Sequence, residues 1–210
     1  MILRIVWAIA LPAALLSGCL TPNSVEPTRY YTVDAAPQSP GEAATELSLG
    51  MRALVAARPY KLEIAYRAEA NRLAYFPRSE WAELPGTLVS RSLMDAIAAS
   101  KIFSDAGDAA TMARPDFIFT GELRRFEADY TGDTPKFVVT ISGSIRATGE
   151  GKNLWMDEVE ARVPLENASP YGASDASLAD IARAASEAVA LVSSELCSRI
   201  REALDSSTTP

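Results

Sequence analysis

Few side chains in this sequence are equipped to do chemistry. The 210-residue chain has no histidine. That removes Ser-His-Asp and Cys-His triads, histidine general bases and every His-ligated metal site. Its two cysteines are Cys19 and Cys197. Cys19 follows two small residues, Ser17 and Gly18, which leave the peptide bond before it open to a peptidase. Cys197 stands beside the apolar stripe of a predicted helix. It reads as a small, semi-buried hydrophobe, with an intermolecular disulfide or a reactive thiol as the alternatives. If the Cys19 sulfur is modified, no intramolecular disulfide framework is available.

The carboxylates offer less. Asp157, Glu158 and Glu160 could suggest a cation site or a catalytic pair. Adjacent strand residues point to opposite faces, so Asp157 and Glu158 do not converge, and a solvated strand edge is expected. Gly149-Glu150-Gly151 is a turn, since no helix opening on Lys-Ser or Lys-Thr follows it. Gly121 and Gly143 fall inside strands, where a bulge or kink is expected and a close approach to a ligand is the alternative. One mixed cluster stands out: Tyr66, Arg67, Asn71, Arg72, Tyr75, Phe76 and Trp81. Aromatic and cationic residues together are typical of interface cores. These seven are candidate partner-binding residues; the other reading is a loop whose aromatics cap the sheet.

The leader gives Cys19 its meaning. Arg4 precedes an apolar run from Ile5 to Leu15, and small residues follow before Cys19, as in a secretory signal. The run is shorter than the roughly 20 apolar residues a spanning helix needs, and Pro12 interrupts it. Leu16-Ser17-Gly18-Cys19 has the pattern of a bacterial lipobox, in which the thiol takes a diacylglycerol and the new amino group a third chain. Two or more chains give a stable anchor where one gives marginal binding. The expected division is a signal peptide over 1–18, a lipidated tether over 19–28, a folded domain over 29–205 and a disordered tail over 206–210. Leu20 follows the cysteine where enterobacterial inner-membrane lipoproteins carry aspartate, which favours the outer membrane.

Removal of the leader leaves 192 residues, enough for one domain with a real core. The formal charge of -7 makes nucleic acid an unsuitable partner. Arg29–Asp34 reads as a first strand and 35–45 as a loop. Glu46–Val55 and Leu62–Tyr66 alternate as half-buried strands, and Leu73–Phe76 reads as another, broken by Pro77. Apolar residues at helical spacing predict a helix over 86–100. Three long strands follow, over 116–130, 136–148 and 154–165, joined by hairpin turns into an antiparallel meander. Residues 168–174 form a loop. A second helix, over 177–204 and about 40 Å long, carries a stripe through Leu178, Ile181, Ala182, Ala185, Val189, Val192, Leu196 and Ile200. Ser177 and Asp180 suggest a capping box at its start. This helix is expected to cover the sheet, with a partner-facing coiled-coil seam as the alternative. The fold class expected is α+β: a single domain, a mainly antiparallel sheet and two helices packed on one face.

Several segments carry a family resemblance. These are the Cys19 leader, Tyr30-Tyr31-Thr32-Val33, Ile64-Ala65-Tyr66-Arg67, Asn71-Arg72-Leu73-Ala74-Tyr75, Trp81-Ala82, the stretch closing on Lys101-Ile102-Phe103-Ser104, Leu123-Arg124-Arg125-Phe126-Glu127, and the alanine-rich last helix. Together they resemble the auxiliary lipoproteins of ABC-type transport systems, the group that includes paraquat-inducible protein C. The resemblance implies a role in moving phospholipids or other hydrophobic molecules between two membranes. It implies docking, at the outer membrane, to a periplasmic protein of the mammalian-cell-entry type. It carries over Cys19 as the lipidation site and no catalytic residue. The expectation is therefore a non-enzymatic lipoprotein without a cofactor beyond the acyl lipid on Cys19, with a second copy of the chain as a further candidate partner. A module that itself holds an acyl chain between sheet and helix is the alternative, and a cell-envelope hydrolase is a third reading.

Overall fold

The computed structural model describes residues 26–35, 45–149, 151–167, 169 and 174–208. The signal peptide, Cys19 and the tether up to residue 25 lie outside the described residues, as do most of the 35–45 and 168–174 loops.

Among the described residues nine strands form one sheet: β1 Arg29–Tyr31, β2 Ser48–Met51, β3 Val55–Ala56, β4 Glu63–Glu69, β5 Arg72–Trp81, β6 Asp105–Asp108, β7 Phe117–Asp129, β8 Lys136–Ala147 and β9 Asn153–Pro164. The helices are α1 Pro85–Ser100 and α2 Asp175–Thr208. The long strands β7, β8 and β9 form the expected antiparallel meander. The other edge of β7 is shared in series by β2, β3 and β4, all parallel to it. Outside β2 lies β6; outside β4 lie β5 and then β1. The sheet is thus mostly antiparallel by paired length but mixed. The β4–β5 hairpin and α1 carry the chain back between β2 and β6 or β7, which is what parallel pairing requires.

Both helices cover one face. The α2 stripe is buried from Leu178 to Ile200 except for Ala182, which is partly buried, and packs on β8, β9 and α1, so it covers the sheet as expected. The core beneath includes Trp81, Phe119, Phe126 and Phe137. α1 begins with Pro85, tolerated where no intrahelical N–H bond is lost. It ends at Lys101, whose φ of 50° is the left-handed conformation of a helix stop.

Several local expectations change. Pro77 does not end its strand, because β5 runs through it. The register against β4 slips between Glu63 and Ala65, so residues 76–79 bulge out, with Arg78 at φ 51°. A bulge is where a sheet accepts proline. The segment 46–55 splits into β2 and β3: Leu54 leaves the alternation to send its N–H to the Ser90 hydroxyl of α1 at 2.7 Å. α2 starts two residues before Ser177. Ser174 caps it by accepting the Ser177 N–H at 3.2 Å. Asp180 instead accepts the backbone N–H groups of Glu166 and Asn167 at 2.7 and 2.9 Å. The tail expected from 206 is helical to Thr208, with the Ser206 and Ser207 hydroxyls bonded back to Ala203 and Leu204 carbonyls.

Candidate functional site: the open face of the sheet

With both helices on one side, the other face of β7, β8 and β9 is covered by neither helix, and it divides into two halves of different chemistry. The half towards the end of β7 holds a closed charge network. Glu127 is fully buried. Its carboxylate accepts the Tyr60 hydroxyl at 2.8 Å, Arg67 Nε at 2.8 Å and Arg125 Nη2 at 2.6 Å. Arg125 also donates to Asp129 at 2.8 Å, and Thr131 caps Asp129 through its N–H and hydroxyl. Burial alone opposes charge on Glu127, but the hydrogen bonds from Arg67, Arg125 and Tyr60 outweigh it and hold the carboxyl below its ordinary range. Burial likewise opposes charge on Asp129, yet Thr131 and Arg125 bring it down to about 2. Burial, with Glu127 beside it, pushes the Tyr60 phenol up. None of these three groups is poised near neutral pH. Neighbouring charges are matched too: Arg124 pairs with Glu122 and Glu158, and Glu160 with Arg162 and Arg125.

The half towards the start of β7 is a shallow trough. Two depressions of about 480 and 510 Å³ share Thr120 and Ser144. Ser142, Ser144 and Thr120 form a floor of short side chains. Val55 and Met156 line the upper depression and are 69% and 72% exposed, large values for apolar residues. Arg52 and Arg146 line the lower one.

Gly121 and Gly143 lie under this trough, opposite one another in β7 and β8. A Cβ on Gly143 would stand 2.9 Å from the Phe119 ring, and one on Gly121 would stand 2.8 Å from Leu54. Their space on the helix side is filled by these side chains. Neither glycine marks a bulge or leaves room for a ligand there.

The structure scatters the seven-residue aromatic and cationic cluster. Phe76 and Trp81 are buried in the core, and Trp81 packs on Phe126 with centroids 5.1 Å apart. Tyr66 stacks on Phe76 at 4.6 Å. Arg67 joins the Glu127 network. Asn71 and Arg72 are exposed at the β4–β5 turn, where Arg72 pairs with Glu69, and Tyr75 is exposed with its hydroxyl on the Pro59 carbonyl. No single surface gathers them. The Glu127 network was not foreseen from the sequence; its one signal was the spacing of Arg125, Glu127 and Asp129 at alternate positions of one strand. Asp157 and Glu158 do point apart, to Arg199 of α2 and to Arg124 on the open face. Cys197 is buried, and burial pushes its thiol up to about 11.

Among the described residues no group of three His, Cys, Asp or Glu side chains is placed to hold a metal ion. No helix among them is long and apolar enough to cross a membrane. The space between sheet and helices is packed with side chains, and the depressions described above open to solvent.

No family model matches the chain, and no curated protein matches it in sequence. Among solved structures it is similar to a Xanthomonas campestris protein of the DUF330 family. That match has 19% identity and a TM-score of 0.72, and it covers 86% of this chain and 99% of the other. A crystal structure of an uncharacterised protein matches with 9% identity and a TM-score of 0.65, covering 83% and 99%. These two share the fold. A proposed lipoprotein from Caulobacter crescentus is more distant, at 15% identity and a TM-score of 0.41, covering 57% and 83%.

Proposed function

We propose that this chain is a lipoprotein of the cell envelope. Acyl chains on Cys19 anchor it to the periplasmic face of the outer membrane. There it serves as a non-catalytic docking component of an ABC-type intermembrane lipid transport system, with a periplasmic protein of the mammalian-cell-entry type as its partner. The leader and lipobox support the anchor. The observation that carries the docking role over the acyl-carrier role is the filled core. Trp81, Phe119, Phe126 and Phe137 occupy the layer between sheet and helices where a carrier would hold its lipid. A small-molecule site buries most of its ligand in a concave, largely preformed cavity; the open trough on the other face suits a protein surface better.

The test is purification of the tagged chain from membranes of its native host. The proposal expects it in the outer-membrane fraction with a mammalian-cell-entry type protein attached, and expects Cys19→Ser to lose that fraction. Recovery without such a protein, or with one tightly held phospholipid per chain, contradicts it.

A further inference from the structure

The two halves of the open sheet face treat charge differently. Towards the end of β7, the arginines are paired: Arg67, Arg124, Arg125 and Arg162 all meet carboxylates. At the lower end of the trough they are not. Among the described residues Arg146 donates only to the Asn153 side-chain carbonyl at 3.3 Å, and Arg52 has no side-chain partner. Asp116, the nearby carboxylate, is engaged by the Ser48 N–H and hydroxyl at 2.8 and 2.7 Å. Glu122 at the upper rim is taken by Arg124. Among the described residues of a protein of net charge -7, a cationic pair thus stands without a carboxylate, beside two exposed apolar side chains, over a floor of hydroxyls.

We infer that this trough is the docking site for an extended acidic segment of a partner protein. A carboxylate would lie on Arg52 and Arg146, and an apolar side chain would lie between Val55 and Met156. The register sets the spacing. Arg146 lies opposite Ile118, Ser144 lies opposite both Thr120 and Met156, and Val55 lies opposite Glu122. Two to four strand residues therefore separate Arg146 from Met156 and Val55, roughly 7–13 Å at 3.3 Å per residue, while Arg52, which follows Met51 opposite Phe119, stands at the level of Thr120. An extended segment with a carboxylate two to four residues from a branched apolar residue matches that interval. Arginine suits the role, because its planar fork can take a carboxylate through two hydrogen bonds.

Phosphates of the protein's own bilayer would offer the same charge, but the topology disfavours them. The chain enters the domain at the opposite end of the sheet, where Glu26 pairs with Arg78 and Arg29 with Asp175 at the start of α2. Ile118 and Asp129 are separated by about 36 Å of strand at 3.3 Å per residue. The stretch from Cys19 to Glu26 reaches about 25 Å when fully extended. The arginine pair thus lies at the end of the sheet remote from the point where the anchored terminus enters the domain. This inference rests on the docking role proposed above.

The test uses the mature chain in neutral detergent. The ligand is a fluorescein-labelled twelve-residue peptide in which glutamate alternates with valine and threonine. Its lysine counterpart and a short-chain phosphatidylglycerol serve as comparisons. Anisotropy is expected to report binding of the glutamate peptide that weakens at least tenfold in Arg52→Glu/Arg146→Glu and in Met156→Asp. Arg58→Glu, an exposed arginine outside the trough, is expected to leave it unchanged. All these side chains are exposed, and an unchanged melting temperature checks the fold. No binding of the glutamate peptide, equal binding of the lysine peptide, an unaltered affinity in the double variant, or displacement by phosphatidylglycerol overturns the inference. Purification from the host separates the two claims. If Arg52→Glu/Arg146→Glu keeps its transport partner, the trough is wrong and docking stands. If the unsubstituted chain brings no such partner, docking itself is wrong.

Discussion

The Phe119 ring occupies the place a side chain on Gly143 would need: a Cβ there would stand 2.9 Å from two atoms of the ring. β7 and β8 therefore carry a glycine pair in mid-strand at no loss of packing, because an aromatic ring from the same face covers both positions. Glycine in a strand otherwise weakens it. Gly143→Ala is expected to destabilise the domain by about 1–3 kcal/mol through overpacking, read as a lower urea midpoint with an unchanged slope. Phe119→Leu should recover part of that loss in the double variant. Additive losses would show that the ring is not the obstacle.

Glu127 is the keystone of the open face's charge network. Glu127→Ala leaves Arg67, Arg125 and the Tyr60 hydroxyl without their shared acceptor in a buried setting. The expected cost is about 3–5 kcal/mol, the scale for breaking a buried ion pair from one side. Arg124→Ala, whose partners Glu122 and Glu158 are about half exposed, should cost less than about 1 kcal/mol. Equal costs in urea unfolding would contradict this assignment.

The same network sets the acid limit of the fold. Asp129 titrates at about 2 in the folded state against an ordinary 3.8. Glu127 is also held below its ordinary range. A lowered folded value contributes stability that is fully present above the unfolded value and is lost as pH falls through the folded one. Stability should therefore hold from pH 7 to about 5 and decline between about 4 and 2, with Asp129 accounting for about 2 kcal/mol of the fall. Asp129→Asn should flatten that decline. An identical pH profile in the variant would show that Asp129 does not carry it.

Cys197 should be chemically quiet. Its thiol is buried, and burial raises it to about 11, so little of the reactive thiolate exists at pH 8. A thiol reagent should react with it only on the timescale of global unfolding, and quickly in 6 M guanidinium. Rapid reaction of the folded domain would mean that the helix face around Cys197 opens.

The elements that read clearly in the sequence are those whose hydrophobic period runs unbroken. β8 alternates Phe137, Val139, Ile141 and Ile145 inward without a slip, and α2 keeps one stripe from Leu178 to Ile200. The reading failed where a bulge changes the parity. Phe76 and Trp81 lie five residues apart, so strict alternation would put them on opposite faces; the bulge at 76–79 turns both into the core. The slip between Leu123 and Arg125 does the same for Leu123 and Phe126. An aromatic cluster that is contiguous in sequence was thereby divided between core, charge network and surface. The trough was illegible for a different reason. It joins Arg52 and Val55 to Arg146 and Met156 through parallel pairing of β2 and β3 with β7, and two-residue β3 is too short to leave a periodic signal.

The mature amino terminus decides whether this chain is an anchored lipoprotein. Mass spectrometry of the protein isolated from its native host should find a chain that begins at Cys19 and carries a diacylglycerol thioether, with or without an amide-linked third acyl chain. A free Cys19 thiol, or residues 1–18 still attached, would contradict it.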